Sequence, residues 1–244
     1  MGPNMTSIKR LARPLIRPAG LVLAALAAVS TVAAAADDAI PNNTIRIGFY
    51  SVKYSASAPD LSGPFTPPGI NLRVEHVNTP YAAYLRRLSP EWELELAAGV
   101  PPETHTVGVG PAKLGSVPFN GQQVATAKWF SPTVLLEYKF FEERAKFRPY
   151  VGVGMNYTHF YDRNSTPAGD AANGGPTATS LSDSFGPAGT AGLSYKFTNH
   201  CNAIASYSIA QVNSNYDSVT AGIHRTTTVH FNPKTIVVAV GYSF

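Results

Sequence analysis

Metal chemistry would need His76, His105, His159, His200, His224 or His230 at ligand spacing from another histidine, from Cys201 or from a carboxylate. None stands so, and the six read as scattered loop and interface histidines. Nucleotide chemistry would need a glycine loop opening a helix. Gly108-Val109-Gly110 and Gly152-Val153-Gly154 lack both the helix and a following lysine, and a glycine inside a strand more often admits a bulky neighbour or a kink. Acyl-transfer chemistry would show a Gly-x-Ser-x-Gly elbow, which is absent. The expectation is a protein with no catalytic residues, no metal and no cofactor.

Charged side chains on alternate positions say more. Glu91, Glu93 and Glu95 share one parity of a segment whose other parity is Trp92, Leu94 and Leu96. Such alternation is the period of a strand with two unlike faces. It recurs over Phe147 to Tyr161, where Phe147, Pro149, Val151, Val153, Met155, Tyr157, His159 and Tyr161 oppose Arg148, Tyr150, Gly152, Gly154, Asn156, Thr158 and Phe160. Asp183 to Thr198 and the last strand, Lys234 to Phe244, alternate likewise. Weaker strand candidates are Thr44 to Tyr54, Gly69 to Leu88, Lys128 to Phe141 and Cys201 to Asn213, making eight in all.

The gaps between these strands alternate in length. Stretches 55–68, 101–127, 162–182 and 214–231 are long and rich in Pro, Gly, Ser, Thr and Asn. Ser89-Pro90, Glu142 to Lys146 and Asn199-His200 are short. An even-stranded barrel with both termini on the periplasmic side needs short turns there and long loops outside. A β-sandwich has no reason for that pattern. The chain also ends on an aromatic, Phe244, on the same face as Tyr242.

The N-terminus fits export. Lys9, Arg10, Arg13 and Arg17 precede an apolar run from Ala19 to Ala36 that ends in Ala34-Ala35-Ala36-Asp37. This is the pattern of a cleaved signal peptide, residues 1–36, with Met5 an alternative start and an uncleaved helix the competing reading. Taking those four cations from the 19 Lys+Arg leaves 15 against 15 Asp+Glu, so the basic character of the whole chain is no argument for nucleic acid. A single cysteine allows no internal disulfide. The fold class expected for 37–244 is therefore all-β, an eight-stranded antiparallel transmembrane barrel in a Gram-negative outer membrane.

In that barrel a carboxylate cannot face hydrocarbon. Parity and topology then turn Glu91, Glu93, Glu95, Glu137, Lys139, Arg148 and Lys196 inward near the short-turn end. Glu93, Glu95, Glu137, Arg148 and Lys196 are expected to pair with one another as a charge plug at the periplasmic end, because unpaired charge in so narrow a lumen would be costly. Toward the loop end the inward positions are small or apolar: Ala97, Gly99, Ser131, Leu135, Ser206 and Ser208, joined by Trp129. Of these, Ala97, Trp129, Leu135, Ser206 and Ser208 are the expected lumen lining.

The same residues resemble the OmpW family of small outer-membrane proteins. The fullest match is the run Lys146-Phe147-Arg148-Pro149-Tyr150-Val151-Gly152-Val153-Gly154-Met155-Asn156-Tyr157-Thr158. Trp92 with Glu95-Leu96 and Ala98 support it, as do Pro132-Thr133 with Tyr138 and Phe140. Leu181, Asp183, Ser184 and Gly186, then Asn232-Pro233 and Gly241-Tyr242-Ser243-Phe244, match further motifs, so the likeness covers 44–244. The chain departs from the family pattern at Phe185 and Cys201, where tryptophan is usual, at Trp129-Phe130-Ser131 and at Gln211-Val212-Asn213. The resemblance implies a narrow, largely apolar interior linked to passage of small hydrophobic molecules. Partners expected are membrane lipids, small hydrophobic solutes and the barrel-assembly machinery, with lateral exit of solute to the bilayer. A structural or surface-receptor barrel without transport is the alternative. Behind it stands a lipid enzyme using rim residues such as His105, His159, Ser182 and Asp183.

Overall fold

The computed structural model describes residues 40–56 and 58–244. The expected leader, 1–36, and its cleavage point lie outside the described residues.

Eight strands form a closed antiparallel barrel: β1 (Asn43–Tyr54), β2 (Val77–Arg87), β3 (Trp92–Gly99), β4 (Thr133–Lys139), β5 (Phe147–Ser165), β6 (Ser184–Lys196), β7 (Cys201–Ala210) and β8 (Pro233–Ser243). Each pairs with the next in sequence, and β8 closes on β1 over Thr44↔Ser243 to Tyr54↔Pro233. Closure gives every barrel strand two neighbours, which satisfies the backbone in a medium that offers no hydrogen bonds.

Alternation along each strand decides which residues meet lipid. On β5 Val153 is 70% exposed while Asn156 is 4% exposed. Ile45, Ile47, Leu96, Leu136, Val238 and Val240 are likewise exposed and apolar. Aromatics crowd the short-turn rim, where Trp92 meets Tyr138 edge-on at 5.1 Å and Tyr195 meets Phe197 at 5.2 Å. This is an outer band suited to acyl chains, edged by an interfacial aromatic girdle.

Two elements differ from expectation. The stretch from Gly69 to Leu88 is not one strand. Asn71–Val74 pairs with Glu103–Val109 outside the barrel, and β2 begins only at Val77. The long connections are also folded rather than loose. Glu103–Val109 pairs with Gln123–Phe130, which pairs with the outer end of β5. Thr177–Leu181, Asn213–Thr220 and Ile223–His230 make a separate three-stranded sheet. A short helix, α1 (Pro167–Asn173), starts on Thr166, whose hydroxyl accepts the Gly169 N–H at 3.0 Å, and ends on Gly174 in the left-handed region. The three-stranded sheet is mostly polar on both faces, so the hydrophobic period that reveals a strand is weak there.

Glu91 also lies elsewhere than parity placed it. It sits exposed in the β2–β3 turn, where the Ser89 hydroxyl binds its carboxylate at 3.1 Å. The turn ends the alternation one residue before β3 begins.

Candidate functional site

The barrel interior is divided into a charged floor and a cavity above it. The floor centres on Arg46, which lies on β1 and is 1% exposed. Its Nη1 reaches Glu95 Oε2 at 2.6 Å and Glu137 Oε2 at 3.7 Å, and its Nη2 stands 4.0 Å from Glu93 Oε2. Lys139 Nζ binds the same Glu93 oxygen at 2.6 Å. The Tyr81 hydroxyl donates to Glu95 Oε1 at 2.8 Å, and the guanidinium carbon lies 5.6 Å from the centre of the Tyr150 ring. Four strands, β1 to β4, thus meet through two cations, three carboxylates and the Tyr81 hydroxyl. In a dry interior such a network is held by geometry, since each charge has given up its water.

Arg148 and Lys196 do not join the carboxylates. Arg148 donates instead to the carbonyls of Phe140, Pro90, Lys139 and Phe141, and Lys196 Nζ donates to the Glu143 carbonyl at 3.0 Å. They sit at the short-turn rim, where turn carbonyls have no ladder partner and a cation satisfies several together. The partner that the three glutamates do have, Arg46, is absent from the residues singled out in the sequence. Its signal was present: Thr44, Arg46, Gly48 and Tyr50 share one parity against Ile45, Ile47 and Phe49.

Above the floor lies a cavity of about 130 Å³. Its lining includes Ala97, Trp129, Leu135, Ser206 and Ser208, with Glu95 and Glu137 at its base. Tyr50 and Tyr81 meet edge-on at 6.3 Å, Tyr50 and Trp129 lie tilted at 6.5 Å, and Phe160 stacks on Phe231 at 5.3 Å near the loops. Gly99 makes the crowding around Tyr50 possible, because a Cβ there would fall 2.0 Å from the phenol oxygen.

One wall of the cavity is polar but self-contained. Asn156 Nδ2 donates to the Ser131 and Thr133 hydroxyls, both at 2.8 Å, and the Thr158 hydroxyl donates to Asn156 Oδ1 at 2.9 Å. Across the barrel the Ser208 hydroxyl donates to Thr190 at 2.9 Å. Groups so occupied present little unmet hydrogen-bonding demand to a guest.

The wall itself is interrupted in one place. β5 keeps one register from β4 into Lys128–Phe130, with Asn156↔Thr133 and His159↔Phe130, and shifts only beyond Tyr161. On the other side, Ala97 pairs with Thr133 and Glu103 with Lys128. Six steps along one chain therefore match five along the other, and the extra residue falls in Ala98-Gly99-Val100-Pro101-Pro102. Pro101, Pro102 and Pro132 all lie at this seam and none has an N–H for the ladder. Val100 turns its N–H to the Pro80 carbonyl on β2 at 3.0 Å instead. The cavity is lined there by Ala98, Gly99 and Ser131. Pro187 behaves differently: it sits opposite Met155 in an intact register and its carbonyl accepts from Gln211 N at 3.0 Å.

At the outer rim His159 Nδ1 lies 2.9 Å from Asp183 Oδ1, and the Tyr157 hydroxyl donates to Asp183 at 2.6 Å. The Ser182 hydroxyl accepts from the Asn215 amide at 2.9 Å, and His105 faces Gln123 at 2.5 Å.

Comparison with known proteins agrees with this architecture. Outer membrane protein W of Vibrio cholerae is 31% identical over 143 residues, which are 59% of this chain and 63% of that protein. The crystal structure of OprG from Pseudomonas aeruginosa superposes with a TM-score of 0.74 at 22% identity, covering 84% of this chain and 96% of that one. The structure of AlkL in lipid bilayers gives 0.60 at 16% identity, over 86% and 94%. The model of the OmpW family matches residues 42–244, and with that span this outer-membrane barrel belongs to the OmpW family.

Proposed function

We propose that the barrel takes up small hydrophobic molecules passively, admitting them between the outer loops and releasing them sideways into the bilayer. The supporting observation is the cavity that rests on the Arg46 floor and reaches the wall at the proline seam. An apolar solute moving straight down would have to part the Arg46–carboxylate contacts and return nothing to them. Breaking a buried pair of this kind costs about 3–5 kcal/mol. At the seam no ladder bonds need to be broken where the prolines stand. In this reading Ala97, Trp129, Leu135, Ser206 and Ser208 hold the solute. Glu93, Glu95 and Glu137 close the floor with Arg46, and Arg148 and Lys196 fasten the turns beneath it. The leader, 1–36, is removed on export, and the mature chain is delivered to the barrel-assembly machinery.

The test combines liposome uptake of an apolar probe with single-channel recording. Uptake with little ion conductance is expected, falling when Ala97 or Ser208 is made bulky and when Pro132→Val offers the seam an N–H. Large, steady conductance that grows in Glu93→Ala/Glu95→Ala, with probe uptake rising in parallel, would establish an axial pore instead. The folded outer sheets favour a second reading, a surface-presenting barrel without transport, for which the wild-type chain would give no uptake at all.

A further inference from the structure

The cavity lining includes one buried nitrogen donor whose bonding is incomplete. Trp129 is 6% exposed and lines the cavity, yet its indole Nε1 has no hydrogen-bond partner among the described residues. Tyr54, which also lines the cavity, stands beside the indole, but no bond of ordinary geometry joins them. The neighbouring polar side chains are already taken: Ser131, Thr133, Asn156 and Thr158 bond one another. An indole N–H is a donor only, so a buried one asks for an acceptor.

We propose that Trp129 is a specificity-determining residue, and that the cavity prefers guests with an apolar body and one uncharged hydrogen-bond acceptor, such as ketones and esters, over plain hydrocarbons. This rests on the uptake reading above and narrows it. The body is set by the aromatic walls, Tyr50, Tyr81 and Phe160, which offer ring faces and edges. The acceptor is set by the Trp129 N–H, a donor that cannot turn to another partner as a hydroxyl can. Neutrality follows from the floor: Glu95 and Glu137 line the base of the cavity and Arg46 is already engaged by them. An anionic guest would meet carboxylates and only neutral donors, too little to replace its water.

The experiment compares acetophenone with cumene, which has nearly the same shape but a methyl group in place of the carbonyl oxygen. The full mature chain is studied in lipid nanodiscs by proton–nitrogen NMR. The protein has two tryptophans, Trp92 and Trp129, so Trp92→Phe identifies the Trp129 indole signal. Acetophenone is expected to move that signal downfield and cumene to leave its hydrogen-bonding shift unchanged. Trp129→Phe, which keeps a ring in place, is expected to weaken acetophenone by roughly three- to tenfold, the worth of one ordinary hydrogen bond. Its effect on cumene should be smaller, and both ligands partition into the same lipid for both proteins. An equal loss for the two ligands would reduce Trp129 to a shape element and overturn the proposal. So would an indole proton that acetophenone does not shift while the amides of Ala97 and Thr190 respond to it. If neither ligand disturbs any cavity resonance of the wild-type chain, the uptake reading falls and this proposal with it.

Discussion

Replacing Arg46 by methionine tests the floor most directly. The side chain is almost wholly buried and is the shared neighbour of Glu93, Glu95 and Glu137, all within 4.0 Å. Methionine roughly keeps the stem but removes the charge, the 2.6 Å bond to Glu95 and the contact with the Tyr150 ring. Lys139 still holds Glu93, so the loss falls on Glu95 and Glu137. Removing one partner of a buried charge network costs about 3–5 kcal/mol, chiefly because the other partner is left uncompensated. A cation over a ring adds about 1 kcal/mol. The expected destabilisation is therefore about 4–6 kcal/mol, a large share of the stability of an ordinary domain. Urea titration in lipid vesicles, followed by tryptophan fluorescence, would measure it. Adding Glu95→Gln should return part of the loss, because it removes a charge that no longer has a partner and keeps a group able to accept from Tyr81. A single variant within about 1 kcal/mol of wild type, or a double variant worse than the sum of its parts, would refute the reasoning. The first result would mean that the floor is wet and the glutamates are solvated without Arg46.

Two further outcomes follow from the barrel itself. Val153→Arg puts a charge on the lipid face and should cost about 2–4 kcal/mol near the midplane, whereas Asn156→Arg faces the lumen and should be better tolerated in the same titration; equal costs would refute the assigned faces of β5. The folded chain should migrate differently on SDS gels before and after boiling, since every barrel strand is paired on both edges, and recovery of native protein from the soluble periplasm without detergent would contradict the barrel.

How far the sequence could be read depends on which physical constraint governed each segment. Lipid demands apolar residues on one parity, so Val151, Val153 and Met155 mark β5 without further help, as Leu94 and Leu96 mark β3. The outer sheet obeys no such rule. In Asn213–Thr220 the buried positions are Ser214, Tyr216, Ser218 and Thr220, and the alternation is polar against polar. What holds that hairpin is its register with Ile223–His230 and bonds such as His230 to Asn213 at 2.7 Å, neither of which a hydrophobic period can report. The floor was half legible for a related reason. Parity assigned Glu95 and Glu137 to the lumen, but identifying their partner required knowing that β1 carries its arginine at the same height as two glutamates on β3 and β4. Height is set by strand stagger, and stagger by pairings such as Arg46↔Ala83, Ala83↔Ala97 and Glu95↔Leu135. The seam needed the same information. Pro101, Pro102 and Pro132 are conspicuous in the sequence, as is Pro187. Only register separates them: Pro187 fits an intact ladder, while the other three fall together where six steps along one chain face five along the other. A proline therefore weakens a barrel wall where the register slips beside it, as at this seam, and not where the ladder stays whole.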